Sequence, residues 1–148
     1  MPAREDPHTG YNFLVEIDGL AVAAFTGCFG LTSETDVIEY REGADFQIRL
    51  IPGLTRYTPI TLKRGITIDR SLWEWRKRIV DGQIDRRSGN IVLLDAERRP
   101  IARWTFREGW PSKWQGPHSD AQSSDVAIEA LEIVHERLFS RDDRLHTS

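Results

Sequence analysis

Four histidines and one cysteine are the side chains in this chain best equipped for acid–base, metal or nucleophilic chemistry. His8, His118, His135 and His146 are scattered, and His135-Glu136 lacks the second histidine four residues on that a helical zinc site requires. All four read as solvated polar residues. Cys28 sits between Gly27 and Phe29 with no cation or histidine nearby in sequence to lower its pKa, so it reads as a small packing residue rather than a nucleophile. Gly27 and Gly30 share a glycine spacing, yet no Lys-Ser/Thr follows them and no helix opens there, so they form no phosphate loop. The spacing assembles no catalytic, metal or cofactor site.

One stretch combines aromatic rings with cations: Trp73-Glu74-Trp75-Arg76-Lys77-Arg78. Only Trp75 falls on the Leu72/Ile79 stripe, so a charged helix covering a sheet outweighs a membrane or nucleic-acid binder. Charge points the same way. The chain has 148 residues, with 20 Lys and Arg against 23 Asp and Glu, and a net charge of −3 gives no global case for binding an anionic polymer or surface. Its distribution is uneven: residues 1–50 carry 3 basic and 9 acidic side chains, residues 51–117 carry 14 and 7, and residues 118–148 carry 3 and 7. An acid–base–acid layout suits self-association.

A lone cysteine leaves no intramolecular disulfide, so packing alone must hold the fold. The first ten residues lack an apolar signal core, and no run of 18 apolar residues exists to span a membrane. The expectation is a single domain over residues 1–148, ordered from about 6 to 138, made in the cytoplasm without a signal peptide or membrane anchor.

The elements follow from periodicity. Tyr11 to Asp18 alternates as a half-buried strand, and Asp18-Gly19 predicts a type I′ hairpin turn into Leu20 to Phe25. Thr32 to Glu42 alternates with neither face apolar, whereas Phe46, Ile48 and Leu50 oppose Asp45, Gln47 and Arg49 in a cleaner amphipathic strand that Pro52-Gly53 interrupts. Such a pair has a poorly specified register and an open edge in a monomer. Tyr57 to Ile68 resumes alternation, broken by Arg64. Asp69 is the expected N-cap of a helix over Arg70 to Asp81, with Leu72, Trp75 and Ile79 inward and Arg70, Lys77 and Arg78 outward. Gly89 to Asp95 and Ala102 to Phe106 read as buried strands joined by a charged loop. Val126 to Leu138 fits one helical face, which propensity favours, and also a strand whose phase slips near Ala130.

Read in order, these strings resemble the tail-tube (inner tube) family of contractile phage tails and contractile injection systems. The resemblance lies in Tyr11-Asn-Phe-Leu-Val-Glu-Ile-Asp-Gly19, Glu34-Thr-Asp-Val-Ile-Glu-Tyr-Arg-Glu-Gly43, Pro52-Gly-Leu-Thr-Arg-Tyr57, Ile60-Thr-Leu-Lys-Arg-Gly-Ile66, Leu72-Trp-Glu-Trp-Arg76, Gly89-Asn-Ile-Val-Leu-Leu-Asp95, Ala102-Arg-Trp-Thr-Phe106 and Trp110-Pro-Ser-Lys-Trp114. It implies a mainly β fold, a small β-barrel or β-sandwich with one flanking helix, built into hexameric rings that stack into a hollow tube. It makes the C-terminal segment a strand, against propensity. Cys28-Phe29 departs from the family pattern of small or polar residues there.

The implied function is structural, not enzymatic: an inner-tube subunit whose partners are its own copies, a sheath protein, baseplate or tube-initiator proteins, and cargo or a tape-measure protein in the lumen. Glu34, Asp36, Glu39, Asp45, Gln47 and Arg49 become lumen or ring-contact candidates. Phe46, Ile48, Leu50 and Ile51 become inter-subunit or stacking candidates, and Arg70, Lys77 and Arg78 sheath-facing ones. The particle would be a phage tail or an extracellular contractile apparatus. The alternatives are a secreted tube protein of the type VI secretion class and a small nucleic-acid-binding β-barrel.

Overall fold

The computed structural model describes residues 12–44, 46–65, 70–118 and 128–141. Alternation builds its first hairpin. In β1 (Phe13–Ile17) Val15 and Ile17 are buried, and β2 (Ala21–Phe25) returns antiparallel with Phe13 opposite Phe25. Gly19, not Asp18, takes positive φ (71°), and the Leu20 N–H closes onto the Ile17 carbonyl at 3.0 Å. The turn is therefore not type I′, which needs positive φ at both central residues.

The remaining elements are β3 (Gly27–Phe29), β4 (Ser33–Tyr40), β5 (Arg49–Tyr57), β6 (Ile60–Gly65), α1 (Ser71–Val80), β7 (Arg87–Leu94), β8 (Pro100–His118), β9 (Ile128–Val134) and β10 (Arg137–Arg141). Eight strands form one antiparallel system in the order β2-β1-β7-β8-β9-β6-β3, with β10 added beside β8. The path ends close to where it began, because only Thr26 separates β2 from β3, and its N–H donates to the Lys63 carbonyl at 2.9 Å. The 19-residue β8 serves both halves, pairing with β7 and β10 along its first part and with β9 from Trp110 onward. Among the described residues the expected mainly β fold with one flanking helix forms, eight of its strands joined in one sheet.

Where β8 passes between the halves, Glu108 has φ 57° and a bulge breaks the ladder with β7. The Phe106 ring fills that corner and is wholly buried. A Cβ added at Gly89 or Gly109 would lie 2.5 Å from this ring. Both positions are glycine because the ring occupies the space a side chain needs. Around Phe106 the core gathers Val15, Phe25, Ile60, Leu62, Ile91, Leu131 and Ile133.

Two apparent flaws in the sequence pattern explain each other. Ile60, Leu62 and Arg64 all point inward from β6, and Glu129, Leu131 and Ile133 point inward from β9. Arg64 and Glu129 are cross-strand partners, with Arg64 Nε donating to Glu129 Oε2 at 3.0 Å, and they are 5% and 4% exposed. The Arg64 guanidinium also stacks on the Phe25 ring at 5.1 Å. The expected phase slip near Ala130 is therefore absent: the strand keeps its period, and an acid takes an inward position to meet a buried cation. Propensity for helix in this segment is overridden by pairing with β6 and β8.

Two other strand expectations need correction. The amphipathic strand begins only at Arg49, leaving Phe46 to Ile48 in the connecting loop, and Pro52-Gly53 lies inside β5 rather than ending it. Proline is tolerated because β4 and β5 form a separate two-stranded sheet in which, among the described residues, β5 has a free edge. The strand expected from Tyr57 to Ile68 is split at Thr58-Pro59, with β6 starting at Ile60; residues 66–69, including the expected N-cap Asp69, lie outside the described residues.

The helix lies against β8. Leu72 and Trp75 are buried, Trp75 Nε1 donates to the Asp85 carbonyl at 2.9 Å, and Arg76 Nη1 donates to the Pro111 carbonyl at 3.1 Å. Trp73 meets Trp114 edge to face at 5.3 Å between centroids, so both tryptophans of the helix serve packing. Gly82 terminates the helix: its N–H reaches the Ile79 carbonyl while the Gln83 N–H reaches that of Arg78, the paired bonds of a Schellman stop.

Candidate functional site

The β4–β5 pair leaves the body as an arm. Every residue of β4 is exposed, and among the described residues no other strand pairs with either member. Local cross-strand contacts hold it: Thr35 Oγ1 lies 2.9 Å from Thr55 Oγ1, Ile38 faces Ile51, and Arg56 Nη2 donates to Asp36 Oδ2 at 2.6 Å. A register shift between Thr35 and Val37 sets Asp36 against Gly53 and Leu54, and Ile38 lies across Gly53 at 3.1 Å from where a Cβ would be.

The arm exposes Val37, Ile38, Tyr40, Phe46, Ile48, Leu50, Ile51 and Leu54, with Phe46 at 95% and Leu54 at 75%. Opposite residues share a face, so Ile38 and Ile51 with Tyr40 lie on one side, and Val37, Pro52 and Leu50 on the other. Both faces carry apolar surface. A two-stranded ribbon has no core of its own, and this much uncovered hydrocarbon marks an interaction surface.

All the described acidic and polar candidates lie on this arm. Glu34 and Asp36 share the Ile38 face, Glu39 takes the Leu50 face, Arg49 opposes Tyr40, and Gln47 is in the connecting loop; Asp45 lies outside the described residues. Phe46, Ile48, Leu50 and Ile51 are likewise exposed there. Val37, Ile38, Tyr40 and Leu54 extend the apolar surface beyond the expected set. Their signal was the adjacent pairs Val37-Ile38 and Leu50-Ile51, which put apolar side chains on both faces of one ribbon.

The base of the arm is rigidly set. Gly30 has φ 92°, and a Cβ there would fall 2.0 Å from the Pro59 carbonyl oxygen, so only glycine allows the chain to turn out of β3 at this point. Thr58 Oγ1 donates to the Gly30 carbonyl at 2.8 Å, and His135 places Nε2 3.1 Å from the Thr58 carbonyl and Nδ1 3.1 Å from that of Arg137. The Tyr57 ring lies 5.6 Å from the imidazole. His135 is thus a brace between arm and body.

Cys28 also has structural surroundings, whereas His8 and His146 lie outside the described residues. Burial pushes the Cys28 thiol up to about 12, so it stays protonated at neutral pH. Among the described residues no group of three His, Cys, Asp or Glu side chains could hold a metal ion.

On the helix side, Lys77 is exposed and Arg70 rests over the Trp73 ring at 5.7 Å, both open to a partner. Arg78 is not. Its Nε donates to Asp85 Oδ2 at 2.7 Å, its side chain is 31% exposed, and Arg87 Nε binds Asp85 Oδ1 at 2.8 Å. Burial raises the pKa of Asp85, but hydrogen bonds from Arg87 and then Arg78, with their charges, outweigh it and hold the carboxyl below its usual range. Its stabilising contribution is present above the ordinary Asp pKa of about 4 and is lost as pH falls through the lower folded-state value. Asp85→Asn is expected to cost about 1–2 kcal/mol at neutral pH and to flatten the acid limb of a stability profile from urea titrations; an unchanged acid limb would contradict this assignment.

Residues 9–139 match the family model described as T4-like virus tail tube protein gp19. The chain belongs to that tail tube family. Among solved structures, this tube protein superposes with TM-score 0.78 and 26% identity on a chain of the PVC sheath–tube complex, an extracellular contractile injection system in its extended state, covering 93% of each. A chain of the anti-feeding prophage tube-terminating cap gives TM-score 0.77 at 24% identity over 96% of this chain and 95% of that one. Hcp1 from Flavobacterium johnsoniae gives 0.55 at 15% identity over 89% and 96%, a likeness of fold alone. No curated protein sequence matches the chain. The tube family and the fold class expected from sequence are both met, and the type VI alternative has the weaker support.

Proposed function

We propose that this tube protein forms six-membered rings stacked into the inner tube of an extracellular contractile particle or phage tail, as a single domain with no catalytic role. The observation that carries the reading is the arm: a ribbon without a core, bearing eight large exposed apolar side chains, on a chain of the tail tube family. Neighbouring copies bury that surface. Glu34, Asp36, Glu39, Asp45, Gln47 and Arg49 then line the lumen or the contacts between rings, while Arg70 and Lys77 meet a sheath. Similar chains come from a sheath–tube complex, a terminating cap and a baseplate, which supports sheath, baseplate and terminator partners here too. Cargo or a tape-measure protein occupies the lumen.

Electron microscopy of Phe46→Asp tests this. Phe46 touches little of its own chain, so the variant should remain a folded, soluble protomer that unfolds cooperatively, and tubes should be lost because a charge enters a contact that only the assembly makes. Tubes of normal length from the variant would remove Phe46 from the interface. An unfolded variant would place it in the protomer's own core.

A further inference from the structure

A groove of about 190 Å³ opens between the C-terminal end of α1, the segment after it and β8, lined by Ile79, Gln83, Ile84, Asp85, Arg86 and Trp110. Its walls are apolar where Ile79, Ile84 and Trp110 meet, and Ile84 is 88% exposed, with Val80 beside it on the helix 64% exposed. A dry cavity of about 150 Å³ already accepts a benzene ring, so the groove has room for one phenyl side chain. Nothing within the described chain fills it.

We propose that Phe46 of one copy seats in this groove of a second copy. Three observations converge on that occupant. Phe46 is the most exposed large apolar residue described, carried in the loop at the tip of a ribbon whose eight-residue β4 extends it about 25 Å at ~3.3 Å per residue. The charges match: residues 33–57 carry five acidic and three basic side chains, while residues 70–87, which hold most of the groove, carry six basic and three acidic. Knob and hole also lie on different surfaces, so the contact is heterologous. Each copy offers a free knob and a free hole to the next, which closes into a ring or continues as a filament.

The inference rests on the tube reading and makes it specific, naming the surface that receives the arm. A double-cysteine variant, Phe46→Cys with Ile84→Cys in a Cys28→Ser background, tests it on the full chain after mild oxidation or treatment with a short bismaleimide. The expected result is a ladder of covalent oligomers extending past the dimer, because each protomer is joined to two neighbours. Phe46→Cys with Phe139→Cys, a pair that shares the knob but uses another face, should give no such ladder. Ile84→Asp should lose rings and tubes yet melt at the same temperature as the unassembled Phe46→Asp protomer, since Ile84, 88% exposed, contributes almost nothing to its own fold.

Rings seen by microscopy without the Phe46–Ile84 ladder overturn the groove and leave the tube reading standing. So does normal assembly of Ile84→Asp, which would leave the groove to another protein. An equal ladder from the control pair overturns it as well. A wild-type protein that remains monomeric at every concentration, with no ladder, overturns both.

Discussion

Glu129→Ala is expected to cost the assembly-blocked protomer about 3–5 kcal/mol, a large part of the 5–15 kcal/mol that holds a typical domain together. The loss comes less from the missing bond than from what remains. Arg64 would stay 5% exposed, stacked on Phe25, with no anion to offset its desolvation. Replacing both partners, Arg64→Met with Glu129→Leu, should recover most of the stability or exceed the wild type, because an apolar pair fills the site without a desolvated charge. Urea denaturation of the Phe46→Asp protomer, of Arg64→Met and Glu129→Leu singly and of the two together in that background gives the coupling directly, with Glu129→Ala measured beside them. A double variant as unstable as Glu129→Ala would mean that the pair is a net stabiliser. A single variant costing less than 1 kcal/mol would mean that water reaches Arg64.

Trp75→Ala should cost a similar ~3–5 kcal/mol, through a different mechanism. The indole is wholly buried between α1 and the body, and its Nε1–H holds the Asp85 carbonyl at 2.9 Å. Truncation opens a cavity and also orphans that carbonyl, whereas Trp75→Phe keeps most of the volume and loses the bond, for about 1–3 kcal/mol. Lys77→Ala, two residues along on the exposed face, should stay within about 0.5 kcal/mol. Equal drops in melting temperature for Trp75→Ala and Lys77→Ala would reverse the assigned helix faces.

What sequence reasoning could reach was set by how local each cause is. The first hairpin, the helix with its Gly82 stop, and the buried run at Ile91-Val92 depend on neighbours within a few residues, and periodicity reports them. Arg64 and Glu129 looked like a broken apolar face and a phase slip because each is explained only by the other, across two paired strands. Pro52-Gly53 looked like a turn because proline removes a donor, and nothing in the local sequence says that β5 has a free edge where that donor is not needed. The acidic and apolar arm residues were legible as a group, but their surface was larger than expected. Arg78 was read as outward with Lys77, its neighbour in sequence, yet it follows the buried Trp75 by three residues and so flanks the inward stripe, where Asp85 beyond the helix end binds it.

The order of strands in the body has a kinetic consequence. Phe13 pairs with Leu93 and Leu62 with Leu131, so the β1–β7 and β6–β9 ladders that close the body cannot form until much later parts of the chain have been synthesised. Such distant pairings belong to proteins that fold in milliseconds to seconds. The arm is different: β4 and β5 are adjacent in sequence, and a hairpin closes in about 1–10 μs. Each nascent chain therefore displays its adhesive ribbon before it has a body to support it. Closure of the body is first order in chain, whereas capture by another ribbon is second order, so the yield of native protomer is governed by the concentration of newly made chains rather than by final stability.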